Sequence, residues 1–136
     1  MSARGIVHHI DLTVTNPTAS RPFYEAVLGF MGYHVSEEYG ERGYDFDVAD
    51  PHCSIGVRIA EGPNAARAHD RYSPGLHHLA WTAASRNDVD AMYALLQKIG
   101  ARVLDPPADY PQYGAGYYAV FFADPDGLKL EFVFKP

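Results

Sequence analysis

The chain has 136 residues, 47% of them hydrophobic and 21% charged, with a formal net charge of −6. That length holds one domain or two small modules sharing a core, and the composition is that of a soluble globular protein. The negative balance argues against a nucleic-acid or anionic-membrane surface, no apolar run is long enough to span a membrane, and a single cysteine, Cys53, excludes an internal disulfide framework. The opening "MSARGIVHHI" lacks the long apolar region of a secretory signal, so a cytoplasmic protein is expected.

Residues 6 to 14 alternate in the manner of a half-buried strand: Ile10, Leu12 and Val14 on one face, His9, Asp11 and Thr13 on the other. Asn16-Pro17 then reads as the cap and first residue of a helix running to about Leu28, with Phe23 and Val27 on its apolar stripe and Gly29 stopping it. Strands are expected near 33–39, 44–49 and 54–60, and the small, polar residues 61–74 form a connector. The second half starts as the first does. In "GLHHLAWTA" the residues Leu79, Trp81 and Ala83 take one face and His78, Ala80 and Thr82 the other. Ser85 with Asp88 resembles a capping box, Val89, Met92, Leu96 and Ile99 follow at helical spacing, and Gly100 ends the helix. Strands are expected at 101–104, 117–123 and 128–134, with a Tyr/Pro/Gly-rich loop at 105–116.

The order is strand, helix, three strands, twice. A shift of 69 places sets His8-His9 on His77-His78 and Tyr24 on Tyr93. The chain is therefore expected to fold as α+β, as one domain of two tandem βαβββ modules, about 5–60 and 75–135. Alternation picks His9 and His78 as the members of each pair that face away from the helices. In the last strand, "LKLEFVF", it places Glu131 on the equivalent face, among apolar neighbours. A carboxylate buried there without a partner costs several kcal/mol. Two imidazoles and a carboxylate form a set that holds a divalent ion and leaves positions open for substrate or water. Cys53 is read as a small packed residue, and His34, His52 and His69 as surface or loop residues.

The stretches "HHIDLTVTNPTASRPFYEAVLGF" and "FFADPDGLKLEFV" make the chain resemble the vicinal oxygen chelate superfamily, which includes glyoxalase I, fosfomycin- and bleomycin-resistance proteins and extradiol dioxygenases. The resemblance covers nearly the whole chain. It implies curved mixed sheets enclosing a cavity, one divalent metal ion (Fe, Mn, Ni, Co or Zn) on His9, His78 and Glu131, a small oxygen-bearing substrate, and a homodimer in which modules pair between subunits. A glyoxalase-type site would add a carboxylate in the first module, but the matching position is Gly56, with Arg58 beside it. Asp11 is the candidate acid or base. Thr13, Arg58, Tyr113 and Tyr118 are candidate pocket residues, with Tyr117 beside the last as part of a pocket lip. The competing reading is a metal-free drug-binding protein of the bleomycin-resistance kind.

Overall fold

The structure is a computed structural model and describes residues 4–136. The chain divides into two compact units, one ending at Arg67 and the other beginning at Ala68. The boundary falls inside the expected connector, and residues 68–74 go with the second unit.

The first unit contains β1 (His9–Val14), α1 (Pro17–Phe30), β2 (His34–Glu38), β3 (Gly43–Ala49) and β4 (His52–Ile59). Its sheet has the order β1-β4-β3-β2, with β1 parallel to β4 and the other pairs antiparallel. The second unit repeats this with β5 (Leu79–Thr82), α2 (Arg86–Lys98), β6 (Arg102–Asp109), β7 (Tyr118–Ala123) and β8 (Lys129–Phe134), in the order β5-β8-β7-β6. Both sheets are open and mixed, and the fold is α+β. Among the described residues no helix is long and apolar enough to cross a membrane.

Each helix covers one face of its own sheet, which follows from where the apolar residues stand. Tyr24, Val27 and Leu28 of α1 are sealed against the sheet, to which β3 contributes Tyr44 and Phe46 and β4 Ile55 and Val57. Val89, Met92 and Leu96 of α2 meet Val120, Phe122, Leu130 and Phe132 in the same way. Each such side chain contributes roughly 1.5–3 kcal/mol on leaving water. Polar groups caught inside are satisfied: the Tyr44 hydroxyl donates to Pro17 O at 3.0 Å and meets Ser20 Oγ at 3.0 Å. The opposite faces carry Asp11, Asp45 and Gly56 in the first unit and Glu131 in the second.

Both helices begin and end alike. Asn16 Oδ1 accepts from Ala19 N at 3.1 Å, and Ser85 Oγ from Asp88 N at 3.1 Å. At the far ends Tyr33 N donates to Leu28 O and Gly32 N to Gly29 O, while Ala101 N donates to Leu96 O and Gly100 N to Gln97 O. These are paired Schellman turns, with Gly32 (φ 96°) and Gly100 (φ 70°) in the left-handed position. The first helix thus runs through Gly29 and is stopped by Gly32. The second correction concerns β6, which continues to Asp109 through the expected loop and across Pro106 and Pro107. It is the outer strand of its sheet, where a missing N–H is tolerated, and its register breaks between Val103 and Asp105 and again between Asp105 and Ala108.

Gly43 holds the tightest backbone approach. Its φ is 136°, and an added Cβ would sit 1.9 Å from Val57 O, a backbone atom of the neighbouring strand. Gly43→Ala should lower stability by at least ~2 kcal/mol. Gly32→Ala, where nothing lies within 4 Å, should cost only about 1 kcal/mol. Urea midpoints of the two variants measure the difference, and equal losses would show that the close approach carries no energy.

Candidate functional site

In β8 the side chains of Leu130 and Phe132 go to the α2 side, so Glu131 must go to the other. There it is 2% exposed. Its neighbours in register are Ala80 of β5 and Phe121 of β7. Two groups reach its oxygens. His78 Nε2 lies 3.2 Å from Oε1, and the Tyr117 phenol donates a very short hydrogen bond to Oε2. Aromatic rings form a collar around this pair. The Phe121 centroid is 6.4 Å from that of His78 and 5.4 Å from that of Tyr110, and Tyr110 and Tyr113 stack at 5.8 Å. Burial first, and then the bond to Glu131, push the Tyr117 phenol well above its ordinary value, so it stays protonated.

The doubled histidines share one device. His77 Nδ1 and His78 Nδ1 are joined by a hydrogen bond of 2.8 Å, and His8 Nδ1 and His9 Nδ1 by one of 2.9 Å. In each pair the first ring holds the second. When His78 donates its Nδ1–H to His77, the lone pair of Nε2 faces the Glu131 carboxylate, an arrangement that needs a proton or a cation between the two. Burial lowers the pKa of His77, and the charges of His78, Arg71, Lys129 and His69 push it the same way. That favours the neutral ring, which can accept.

The pair fits a divalent ion. With metal–nitrogen and metal–oxygen bonds near 2.1 Å, adjacent ligand atoms stand about 3.0 Å apart at a right angle and about 3.4 Å at the tetrahedral angle; the observed separation is 3.2 Å. Otherwise the buried carboxylate is met by the Tyr117 phenol and by His78, which answers its charge only when protonated. Among the described residues no three His, Cys, Asp or Glu side chains form a metal-holding group. The second unit brings His78 and Glu131 together, and His9, the third expected ligand, belongs to the first.

In the first unit the row equivalent to Ala80–Glu131–Phe121 is Asp11–Gly56–Asp45. The missing carboxylate is replaced from both sides. A Cβ on Gly56 would lie 2.1 Å from Asp11 Oδ1 and 2.9 Å from Asp45 Oδ1, so the acids lean over the bare glycine. Asp45 is held by Arg58 at 2.8 Å and by the Tyr39 hydroxyl at 2.8 Å. Arg58 also lies over the Tyr39 ring and donates to Tyr44 O and Val57 O, so its charge is spent inside the unit. Thr13 stands opposite Arg58 and is exposed. Beside His9, the His8 ring contacts His52 at 4.8 Å.

Of the candidate pocket tyrosines, Tyr113 joins the collar, 5.4 Å from Tyr117. Tyr118 does not. Its hydroxyl donates to Asp90 of α2 at 2.6 Å and Arg86 lies over its ring at 3.8 Å, which puts it on the helix side. The parity of β7 was the available signal: Tyr117, Ala119 and Phe121 share one face, Tyr118, Val120 and Phe122 the other. Tyr110 and His69 carried no such signal. His69, expected as a surface or loop residue, lies in the loop before β5, with its Nδ1 buried and without a partner.

The sequence pattern of the Glyoxalase/Bleomycin resistance protein/Dioxygenase superfamily matches residues 6–132. The chain belongs to this superfamily. It is 35% identical over 127 residues to YqjT of Bacillus subtilis (strain 168), an uncharacterized protein, covering 93% of this chain and 97% of that one. A solved Bacillus halodurans protein, provisionally described as a glyoxalase, shares 28% identity with a TM-score of 0.82, covering 97% of each chain. Lactoylglutathione lyase from Agrobacterium tumefaciens shares the fold, with a TM-score of 0.69 at 17% identity, covering 98% of this chain and 96% of that one. The superfamily thus includes enzymes built on this scaffold, which itself supports several chemistries.

Tyr117 makes a pH-dependent contribution. Its folded pKa is raised above the unfolded value near 10. The stability linked to the protonated phenol is whole below about pH 10 and is lost as pH rises toward the folded value. Urea midpoints should therefore hold up to about pH 10 and fall as pH rises above it, and fall less in Tyr117→Phe. Parallel declines would show that the bond to Glu131 does not favour the protonated phenol.

Proposed function

We propose that the protein is a divalent-metal-dependent enzyme acting on a small substrate with adjacent oxygens. The observation that carries this is Glu131: a buried carboxylate whose Oε1 faces an oriented imidazole nitrogen across 3.2 Å. Glu131 and His78 would hold the ion together with His9 of a first module, in a homodimer of the cytoplasm. The ion (Fe, Mn, Ni, Co or Zn) would supply Lewis acidity toward the chelated oxygens, and dioxygen chemistry if it is iron.

The remaining roles fall to the chain itself. Tyr117 keeps its proton and holds Oε2, which leaves Oε1 to point at the ion. His77 and His8 hold the ligand imidazoles by their Nδ1 atoms. The collar of Tyr110, Tyr113, Tyr117 and Phe121 excludes water from one side. Asp11, on the face from which His9 projects, is the carboxylate the first module offers for taking a proton from substrate. The same collar favours a second reading, a metal-free receptor that stacks an aromatic drug against these rings.

Elemental analysis of untagged protein, beside His9→Ala, His78→Ala and Glu131→Gln, tests the reading. The wild type should hold near-stoichiometric metal, and each variant should bind it at least tenfold more weakly while keeping its circular dichroism. Asp11→Asn should keep its metal. Metal lost from that variant would make Asp11 a ligand instead. A wild type that holds no metal after reconstitution would favour the drug receptor.

A further inference from the structure

A second cluster lies one row along β8 from Glu131, on the same face of the sheet. Register sets Arg102 of β6, Ala123 of β7 and Lys129 of β8 side by side. Two long cationic side chains thus flank the buried methyl group of Ala123. The connector closes one side: His69 N donates to Asp126 O at 3.1 Å, which ties residues 68–72 to the turn between β7 and β8. His69, Arg71, Arg102, Ala123 and Lys129 line the resulting cavity of about 370 Å³.

Its charge is not answered from within. Among the described residues Arg102 and Lys129 meet no carboxylate. Lys129 Nζ instead rests 4.6 Å from the centroid of Phe121, and Arg71 Nη2 donates to the Tyr72 hydroxyl at 2.7 Å. Asp70, the acid of the lining, accepts from Tyr72 N and Ser73 Oγ, so its oxygens serve the connector's own turn. His69 adds a buried Nδ1 with no partner, and a buried polar atom in that state calls for a ligand or a proton to explain it. Arg71, Arg102 and Lys129, three cations lining one cavity, suit an oxyanion, which each can meet with a charge-assisted hydrogen bond.

We propose that this cavity binds the anionic group, a carboxylate or a phosphate, of the substrate whose oxygens the Glu131 site chelates. The second half of that statement rests on the metal-centre reading; the anion subsite does not. Lys129 and Glu131 are two residues apart on one strand, about 6.7 Å along it. The substrate class is therefore a short molecule with chelating oxygens at one end and an oxyanion roughly that far away. Arg58 cannot play this part, because Asp45 already holds it.

The test is a titration of the full chain with inorganic phosphate at constant ionic strength, followed by backbone amide shifts. It is run on metal-free and metal-loaded protein, with acetate in a parallel arm. Saturable shifts confined to residues 69–72, Ala123 and 126–129, present without metal, are expected. Arg102→Gln and Arg71→Gln should each weaken binding about tenfold, the loss of one charge-assisted bond, with spectra otherwise unchanged. Tighter saturation by acetate would mark a carboxylate site, and tighter saturation by phosphate a phosphate site. Scattered, non-saturating shifts, or wild-type affinity in both variants, would overturn the subsite. So would phosphate binding seen only with metal, which would place the anion on the ion instead. Phosphate binding as expected in a protein that retains no metal would uphold the subsite and remove only the chelation reading.

Discussion

The carboxylate of Glu131 is the constraint on which the rest of the second unit depends. A charge sunk among Phe121, Tyr117 and the strand backbone costs several kcal/mol unless something opposes it. The surroundings read as the response. Tyr117 gives one oxygen a hydrogen bond, His78 faces the other, and His77 holds His78 in place. None of these residues improves the apolar core beneath α2, which is complete without them.

The first unit shows the same scaffold carrying a different solution. Its central row has a glycine where the second has Glu131, and the acids have moved to the flanking strands as Asp11 and Asp45. One of them, Asp45, is neutralised on the spot by Arg58 and Tyr39. The other stays exposed near His9. The two units thus share their helices, caps, Schellman turns and doubled histidines in register and differ in where their charges stand. What both halves retain is the backbone frame and the oriented imidazole; what differs is where the negative charge stands.

Much of this was legible in the sequence, for identifiable reasons. Period-two alternation needs no tertiary knowledge, so β1, β5 and β8 and the outward direction of His9, His78 and Glu131 could be read directly. The repeat doubled the strength of every motif it contained. The failures have equally physical causes. Gly29 looked like a helix stop, but a glycine can sit within a helix, and only the left-handed turn at Gly32 ends it. Pro106 and Pro107 looked like loop because prolines break strands in general; an outer strand with a broken register escapes that rule. Tyr118 is grouped with Tyr113 and Tyr117 because three tyrosines near one another hide a parity that one residue decides. The cationic cavity had no linear signature at all: His69, Arg71, Arg102 and Lys129 are gathered only by the sheet and by the connector folding onto it.

The proposed metal site puts a cation between His78 and Glu131. Cobalt(II) reports its own coordination, so the most direct measurement is the visible spectrum of metal-free protein titrated with Co²⁺. Ligand-field bands that saturate stoichiometrically and are absent from Glu131→Gln are expected. No bands in the wild type, or the same bands in the variant, would contradict it.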